Sequence, residues 1–239
     1  MPNKAIITFK KWVSESNKIV FFGGAGVSTE SGIPDFRSVD GLYHLKYKYP
    51  PEVILSHTFF LNKTEEFYEF YRDKMIYQTA EPNETHKKLA ELEANGKLMG
   101  VITQNIDGLH QKAGSHNVLE LHGSILRNYC LNCGKFHSLS VIMNSNLIPT
   151  CECGGTIKPD VVLYEESLSQ RVLEASIHLI EEAEVLIIGG TSLSVYPAAG
   201  IINYYKGKKM ILINKSVTPF DEEADLLLQA GLGEVFAEL

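Results

Sequence analysis

Apolar and polar positions along the chain fall into two recurring patterns. Short, largely apolar runs stand at Ile19–Phe22, Leu98–Thr103, Val118–Leu121, Val185–Ile188 and Met210–Ile213. Each is too short for a helix and lacks strict alternation, which predicts strands buried on both faces. Helical spacing appears between them. Residues 4–16 place Ile7, Trp12 and Val13 among the apolar positions of an amphipathic helix. Residues 63–77 are helical and aromatic in pattern, Thr85–Asn95 predicts a helix with Gly96 as its C-cap, and Pro197–Tyr205 predicts a crossover helix. Buried strands alternating with helices define an α/β class, a Rossmann-like parallel sheet. Residues 38–85 carry no strand signal, and 127–157 break the rhythm. Both are expected to be insertions that build a smaller module. The sheet domain is then 1–37, 86–126 and 158–239.

Composition narrows the picture by exclusion. At 44% hydrophobic and 21% charged, the 239 residues suit an ordinary globular enzyme. A net charge of -7 without long Lys/Arg runs argues against a nucleic-acid partner. The first residues, MPNKAIITFKKWVSES, lack the apolar core of a secretory signal, and no apolar run reaches the roughly 18 residues of a membrane span. A cytoplasmic chain with no membrane partner is expected. Its cysteines are then metal ligands or free thiols rather than disulfides.

Candidate chemistry sits where the strands end. Gly23-Gly24-Ala25-Gly26-Val27-Ser28 follows the first strand, and Thr29 stands where the third glycine of a complete dinucleotide fingerprint would be. Such a turn, followed by a helix, lets backbone approach a phosphate and aims N–H groups at it. Gly189-Gly190-Thr191-Ser192 follows a second strand and Asn214-Lys215 a third. In a doubly wound sheet these ends meet at one crevice, which favours a dinucleotide site over ordinary turns. The four cysteines form two pairs, Cys130/Cys133 and Cys151/Cys153, with Gly134 and Gly154 directly after them. That pattern fits one closed, structural zinc site.

Two long segments carry more. GAGVSTESGIPDFRS (Gly24–Ser38) and TQNIDGLHQKAG (Thr103–Gly114), followed by Leu121-His122-Gly123, resemble the sirtuin family. The resemblance continues in order through PNETH (Pro82–His86), the cysteine pairs, KPDVVLYEE (Lys158–Glu166), GTSLSVYPA (Gly190–Ala198) and INKSVTPFDEEAD (Ile213–Asp225), almost the whole chain. It implies NAD-dependent removal of acyl groups from protein lysines, with acylated proteins or peptides as partners. It also implies that the acyl carbonyl oxygen attacks the ribose carbon, nicotinamide leaves, and lysine and 2′-O-acyl-ADP-ribose are released. By resemblance His122 is the general base, a role suited to an imidazole titrating near neutrality. Asn105 and Asp107 are its catalytic companions, holding the ribose or a water and the nicotinamide amide. The NAD site implied comprises Gly24, Ala25, Gly26, Thr29, Phe36, Arg37, Gln104, Asn105, Ile106, Asp107, His122, Gly190, Thr191, Ser192, Asn214 and Lys215. Val161, Val162 and Leu163 border the acyl-lysine tunnel and pair with substrate backbone. Val195 lies on the other side. For Asp107 a helix cap is the competing role, and His86 is expected to be a helix-start residue.

The chain departs from the family pattern in four places. Gly23 replaces a frequent Thr. Tyr164-Glu165-Glu166 replaces Phe-Gly-Glu. The second cysteine pair has one intervening residue instead of two, which should distort its loop. Sirtuins that favour acidic acyl groups carry Tyr and Arg three residues apart, whereas here Tyr71 stands three after Tyr68. Arg72 is one position off, about 100° further round a helix. Neutral acyl groups, acetyl first, are expected. NAD glycohydrolysis, ADP-ribosyl transfer and a non-catalytic NAD-sensing module are the competing functions.

Overall fold

The computed structural model describes residues 4–35, 41 and 48–239. In chain order, α1 (Lys4–Glu15) leads into β1 (Ile19–Gly23). The short helices α2 (Pro51–Ile54) and α3 (His57–Asn62) precede α4 (Thr64–Lys74), α5 (Glu84–Ala94) and β2 (Leu98–Thr103). Then come α6 (Leu109–Ala113), β3 (Val118–Glu120), β4 (Gly123–Cys130), β5 (Phe136–Ser138), α7 (Leu139–Asn144) and β6 (Ile157–Val161). The chain closes with α8 (Gln170–Glu182), β7 (Val185–Gly189), β8 (Met210–Ile213), β9 (Leu226–Leu228) and α9 (Leu232–Phe236).

Six strands form one parallel sheet in the order β3-β2-β1-β7-β8-β9. Its faces explain the continuous apolar runs. Along β1, Ile19 and Phe21 pack with α1, α5 and α9, whereas Val20 and Phe22 pack against the α8 side. β7 and β8 divide in the same way, so every strand position is needed in one core or the other. The chain moves outward from β1 to β3, then returns to β7 beside β1. The sheet therefore reverses direction between β1 and β7, which opens a crevice at their carboxyl ends.

A second, antiparallel sheet of order β5-β4-β6 carries its own core. Phe59, Phe60, Phe67, Tyr68, Phe70 and Tyr71 from α3 and α4 pack there with Cys130, Cys151, Ile157 and Leu163. The zinc-type loops and the aromatic helices thus share one apolar interior.

Several expectations change in detail. Ile7 is 52% exposed, and Phe9 with Val13 forms the buried face of α1, with Trp12 packed at its edge. The predicted crossover helix is a 3-10 helix, Ala198–Tyr204. Neither α8 nor β9 was expected. α8 repeats Leu173, Ile177 and Ile180 at helical spacing against the sheet. β9 is a three-residue edge strand too short to leave a pattern.

Candidate active site

The glycine turn does not open an α-helix. Two short 3-10 turns follow it, Ala25–Val27 and Thr29–Ser31. The Gly26 N–H donates to the Gly190 carbonyl at 2.8 Å, and the Gly24 N–H donates to the Gly189 carbonyl at 3.2 Å. A Cβ added at Gly24 would lie 2.8 Å from Thr191 Cβ, and one at Gly26 would lie 2.8 Å from Gly190 Cα. These glycines are small because the turns after β1 and β7 interlock, a requirement separate from phosphate approach. Thr29 turns its hydroxyl back to the Gly26 carbonyl at 3.0 Å.

β2 delivers the polar array. Gln104 N–H donates to the Gly23 carbonyl at 2.9 Å, and its Oε1 accepts from Thr191 Oγ1 at 3.3 Å. Gln104 Nε2 is buried with no hydrogen-bond partner among the described residues. A buried amide donor of this kind calls for a polar ligand group or water. Asn105 is 9% exposed and donates from Nδ2 to Ser28 Oγ at 3.0 Å. Ser28 Oγ donates to Asp107 Oδ2 at 2.6 Å, and Asp107 Oδ1 accepts from the Leu109 N–H at 2.8 Å. The N-cap position of α6 is Gly108, and Asp107 just before it braces the helix start through Leu109, with its second oxygen turned toward the glycine turn. Burial raises its pKa above the ordinary value, against the opposing bonds from Ser28 and Leu109. Ile106 packs toward the second core, and its carbonyl accepts from Ile125 N–H at 3.0 Å.

His122 follows β3. Its Nδ1 lies 2.9 Å from the Gln104 carbonyl oxygen. A carbonyl only accepts, so Nδ1 carries the proton and Nε2 keeps its lone pair. Burial lowers its pKa, with the Gln104 bond opposing the shift. The next residue is fixed by backbone: Gly123 has φ of 75°, and a Cβ there would sit 1.9 Å from the Asp160 carbonyl oxygen. Val162 N–H donates to the His122 carbonyl at 3.0 Å, which ties the end of β6 to the imidazole-bearing residue.

The remaining described residues follow β7 and β8. Gly190 has φ of 60° and donates its N–H to the Ile213 carbonyl at 3.2 Å. Thr191 Oγ1 also accepts from Leu193 N–H at 3.2 Å, and Ser192 pairs with Ser194 at 2.8 Å. Asn214 Nδ2 donates to the Ser216 carbonyl at 2.9 Å, beside Lys215 at the end of β8. The Val195 carbonyl accepts from Ala199 N–H at 2.9 Å. Phe36 and Arg37 lie outside the described residues.

Beyond Val161, the Leu163 N–H donates to Glu166 Oε2 at 2.9 Å, and Glu166 also holds Lys158 at 3.0 Å and His57 at 2.8 Å. The sequence alone assigns no role to Ser28, Glu166 or His57; the Ser28–Asp107 and His57–Glu166 pairs span 79 and 109 residues. Glu165 adopts φ of 75°, the left-handed region suited to the usual Gly, and Thr58 N–H donates to its Oε2 at 2.8 Å. The side chain secures a backbone that its own Cβ disfavours. Glu165→Gly relieves the Cβ while losing this bond; Glu165→Ala loses the bond and keeps the Cβ. The alanine variant is therefore expected to melt about 2–4 °C below the glycine variant. Equal or reversed melting temperatures would remove this account.

The cysteines meet at one point. All four Sγ atoms lie within 4.8 Å of one another. Cys130–Cys153 and Cys133–Cys153 are separated by 3.4 Å, and Cys133–Cys151 by 3.8 Å. Tetrahedral zinc with Zn–S of about 2.3 Å requires S···S near ~3.8 Å, so the donor set fits zinc. The shortened second pair still reaches, because Gly154 at φ of 82° folds the chain back and Cys151 N–H bonds the Gly155 carbonyl at 2.8 Å.

An open parallel sheet with a glycine-lined switch point, a neutral imidazole and a four-thiol centre defines an α/β nucleotide-site protein with a structural metal module. A sequence profile of the Sir2 family matches residues 24–197, and the chain belongs to that family. It is 62% identical over 230 residues to an NAD-dependent protein deacetylase of Clostridium acetobutylicum, covering 95% of this chain and 94% of the relative. A Clostridium tetani protein of the same description is 56% identical, with 95% and 93% covered. Among solved structures, Sir2 with a p53 peptide and NAD+ superposes with TM-score 0.85 at 37% identity, covering 96% of this chain and 95% of that one. A Sir2 homologue–NAD complex gives TM-score 0.88 at 36% identity, with 97% and 91% covered. No helix of the described residues is long and apolar enough to cross a membrane.

Proposed function

We propose that this chain is an NAD-dependent protein-lysine deacetylase acting on acetylated proteins or peptides. One observation carries the assignment of roles: His122 is locked by the Gln104 carbonyl as the tautomer with a free Nε2, beside the Gln104–Asn105–Asp107 array. NAD supplies a ribose whose bond to nicotinamide breaks to accept the acyl oxygen. Gln104 Nε2, Asn105 and Asp107 orient its nicotinamide–ribose half, with Ile106 beside them. The turns at Gly24–Gly26, Thr29 and Gly190–Ser192, together with Asn214, Lys215, Phe36 and Arg37, hold the remainder. His122 Nε2 takes the proton from a ribose hydroxyl. Val161, Val162 and Leu163 flank the acyl-lysine on one side and Val195 on the other, and extended substrate adds to that edge by backbone bonding.

Residues 38–85 and 127–157 act as one module, with Cys130, Cys133, Cys151 and Cys153 around zinc, and 1–37, 86–126 and 158–239 act as the NAD domain. We place the protein in the cytoplasm, where four thiolate ligands stay reduced.

Incubation with NAD and an acetyl-lysine peptide, followed by mass spectrometry, should yield nicotinamide, free-lysine peptide and 2′-O-acetyl-ADP-ribose. ADP-ribose formed with the peptide untouched would replace this function by NAD hydrolysis; ADP-ribosylated peptide would replace it by transfer.

Acyl preference has a structural basis. Arg72 donates to the Leu147 carbonyl at 2.9 Å and contacts Ser145 Oγ at 3.3 Å and the Ile142 carbonyl at 3.4 Å. Its guanidinium also sits 5.5 Å from the Tyr68 ring centre. It is committed to the loop after α7, and Tyr71 is fully buried. The acetyl form of one peptide should exceed its succinyl form in kcat/KM by about tenfold or more, the scale of one unpaired buried charge. A faster succinyl reaction would show that a cation reaches the tunnel.

A further inference from the structure

We propose that His86 and His110 are positioning residues: a buried imidazole pair, bridged by ordered water, that holds Asp107 and the glycine turn in register for the nicotinamide half of NAD. The proposal rests on the NAD site described above.

The two side chains are 0% and 1% exposed, and their ring centres lie 4.7 Å apart at 56°. On one edge, His86 Nδ1 meets Asn83 Oδ1 at 3.0 Å and the Asn83 N–H at 3.3 Å. Its Nε2 and both nitrogens of His110 are buried without a hydrogen-bond partner among the described residues. Thr85 Oγ1 on α5 and Ser115 Oγ just after α6 are in the same condition. Each neutral imidazole has one donor and one acceptor to satisfy, and interiors rarely leave such groups unmade. A buried water makes two to four bonds and accepts as well as donates, which fits this mixture. Burial keeps both rings neutral: the His86 pKa falls to about 4, and that of His110 to about 3 with His86 adding to the effect. No salt bridge among the described residues reaches either ring.

The pair closes a circuit around the site. Asn83 Nδ2 donates to the Val27 carbonyl at 2.7 Å and to Ser31 Oγ at 3.0 Å, which fastens the start of α5 to the glycine turn. From that turn Ser28 reaches Asp107, and Asp107 accepts from the N–H of Leu109 at the start of α6, next to His110. The His86–His110 step is the one part of this circuit without a direct hydrogen bond. Whatever bridges it sets where α6, and hence Asp107, stands relative to Val27 and Ser28.

A crystal structure that resolves buried solvent, combined with NAD titration by calorimetry and steady-state kinetics, tests the idea. At least one water bonded to both His86 and His110 is expected. His110→Phe keeps an aromatic ring while removing both polar atoms. It should weaken NAD binding and raise KM for NAD by about tenfold, the loss expected for one buried hydrogen-bond link. KM for the acetyl peptide should not move, and His110→Asn should recover part of the NAD affinity. Should His110→Phe fail to fold, Ser115→Ala carries the same comparison by removing one hydroxyl beside the pair. Direct bonding between the imidazoles without water, or variants that bind NAD as the parent does, would overturn the proposal. Calorimetry needs no turnover, so a parent protein that binds NAD without deacylating peptide would sink the functional assignment alone.

Discussion

His122→Ala is expected to slow deacylation by about 10²–10⁴, the usual contribution of a general base. NAD affinity should change little, because the proposed dinucleotide contacts lie on turns after β1 and β7 that the imidazole does not build. Nicotinamide exchange should outlast net deacylation, since its nucleophile is the substrate carbonyl. The pH profile adds a separate check. The proposed base has to be neutral to take a proton, and burial lowers the His122 pKa below the ordinary imidazole value of 6.5. Activity should therefore hold as pH falls from neutrality and decline only below 6.5, and this acidic limb should vanish from any residual His122→Ala rate. The alternative is an imidazole that merely braces Gln104 and the β6 end. In that case the variant would melt lower, bind NAD weakly and lose turnover in proportion. A well-folded variant with parental turnover would leave the base unidentified.

Zinc removal should act on folding and through folding on activity. One zinc per chain is expected by metal analysis. Structural zinc contributes apparent binding free energies on the order of 10 kcal/mol in small domains, far more than one side-chain contact. Cys130 is both a proposed ligand and a wall of the aromatic core beside Ile157 and Tyr68. Cys130→Ser should therefore release the metal and expose residues 127–157 to protease, with loss of deacylation. The four clustered thiols would supply every position of a tetrahedral ion and leave none for a reacting water. A folded, verified zinc-free preparation with full activity would end this assignment.

How much could be read in the sequence depended on the distance over which each feature is decided. β1, β2, β7 and β8 were legible because burial on both faces writes an unbroken apolar run into four to six residues. Their polar ends were legible for the same reason, since chemistry has to sit where such runs stop. The turn glycines 96, 134 and 154 are local matters, and all three occur at positive φ; the Asn83 cap of α5 was not read from the sequence. α8 was missed although Leu173, Ile177 and Ile180 carry its spacing, because its polar face interrupts any apolar run. β9 has three residues and takes its identity from β8. Ser28 is the plainest omission at the site. Nothing near it announces a bond to Asp107, since the partner arrives only once β1 and β2 lie side by side. The purpose of Gly24 and Gly26 was legible only in part. Their spacing suggests a phosphate turn, but their missing side chains are needed first for contact with Gly190 and Thr191.

That interlock has a mechanical consequence. The backbone bonds from Gly24 to Gly189 and from Gly26 to Gly190 carry the β1–β7 pairing past the strand ends into the two turns. Separating the halves would break these bonds together with the β1–β7 ladder and pull Gly24 and Gly26 away from Gly190 and Thr191. The crevice therefore has a welded floor. Adjustment to ligands of different length falls to the walls around it, above all to the segments of the smaller aromatic core, which meet the floor through the His122–Val162 bond and the Ile106–Ile125 bond.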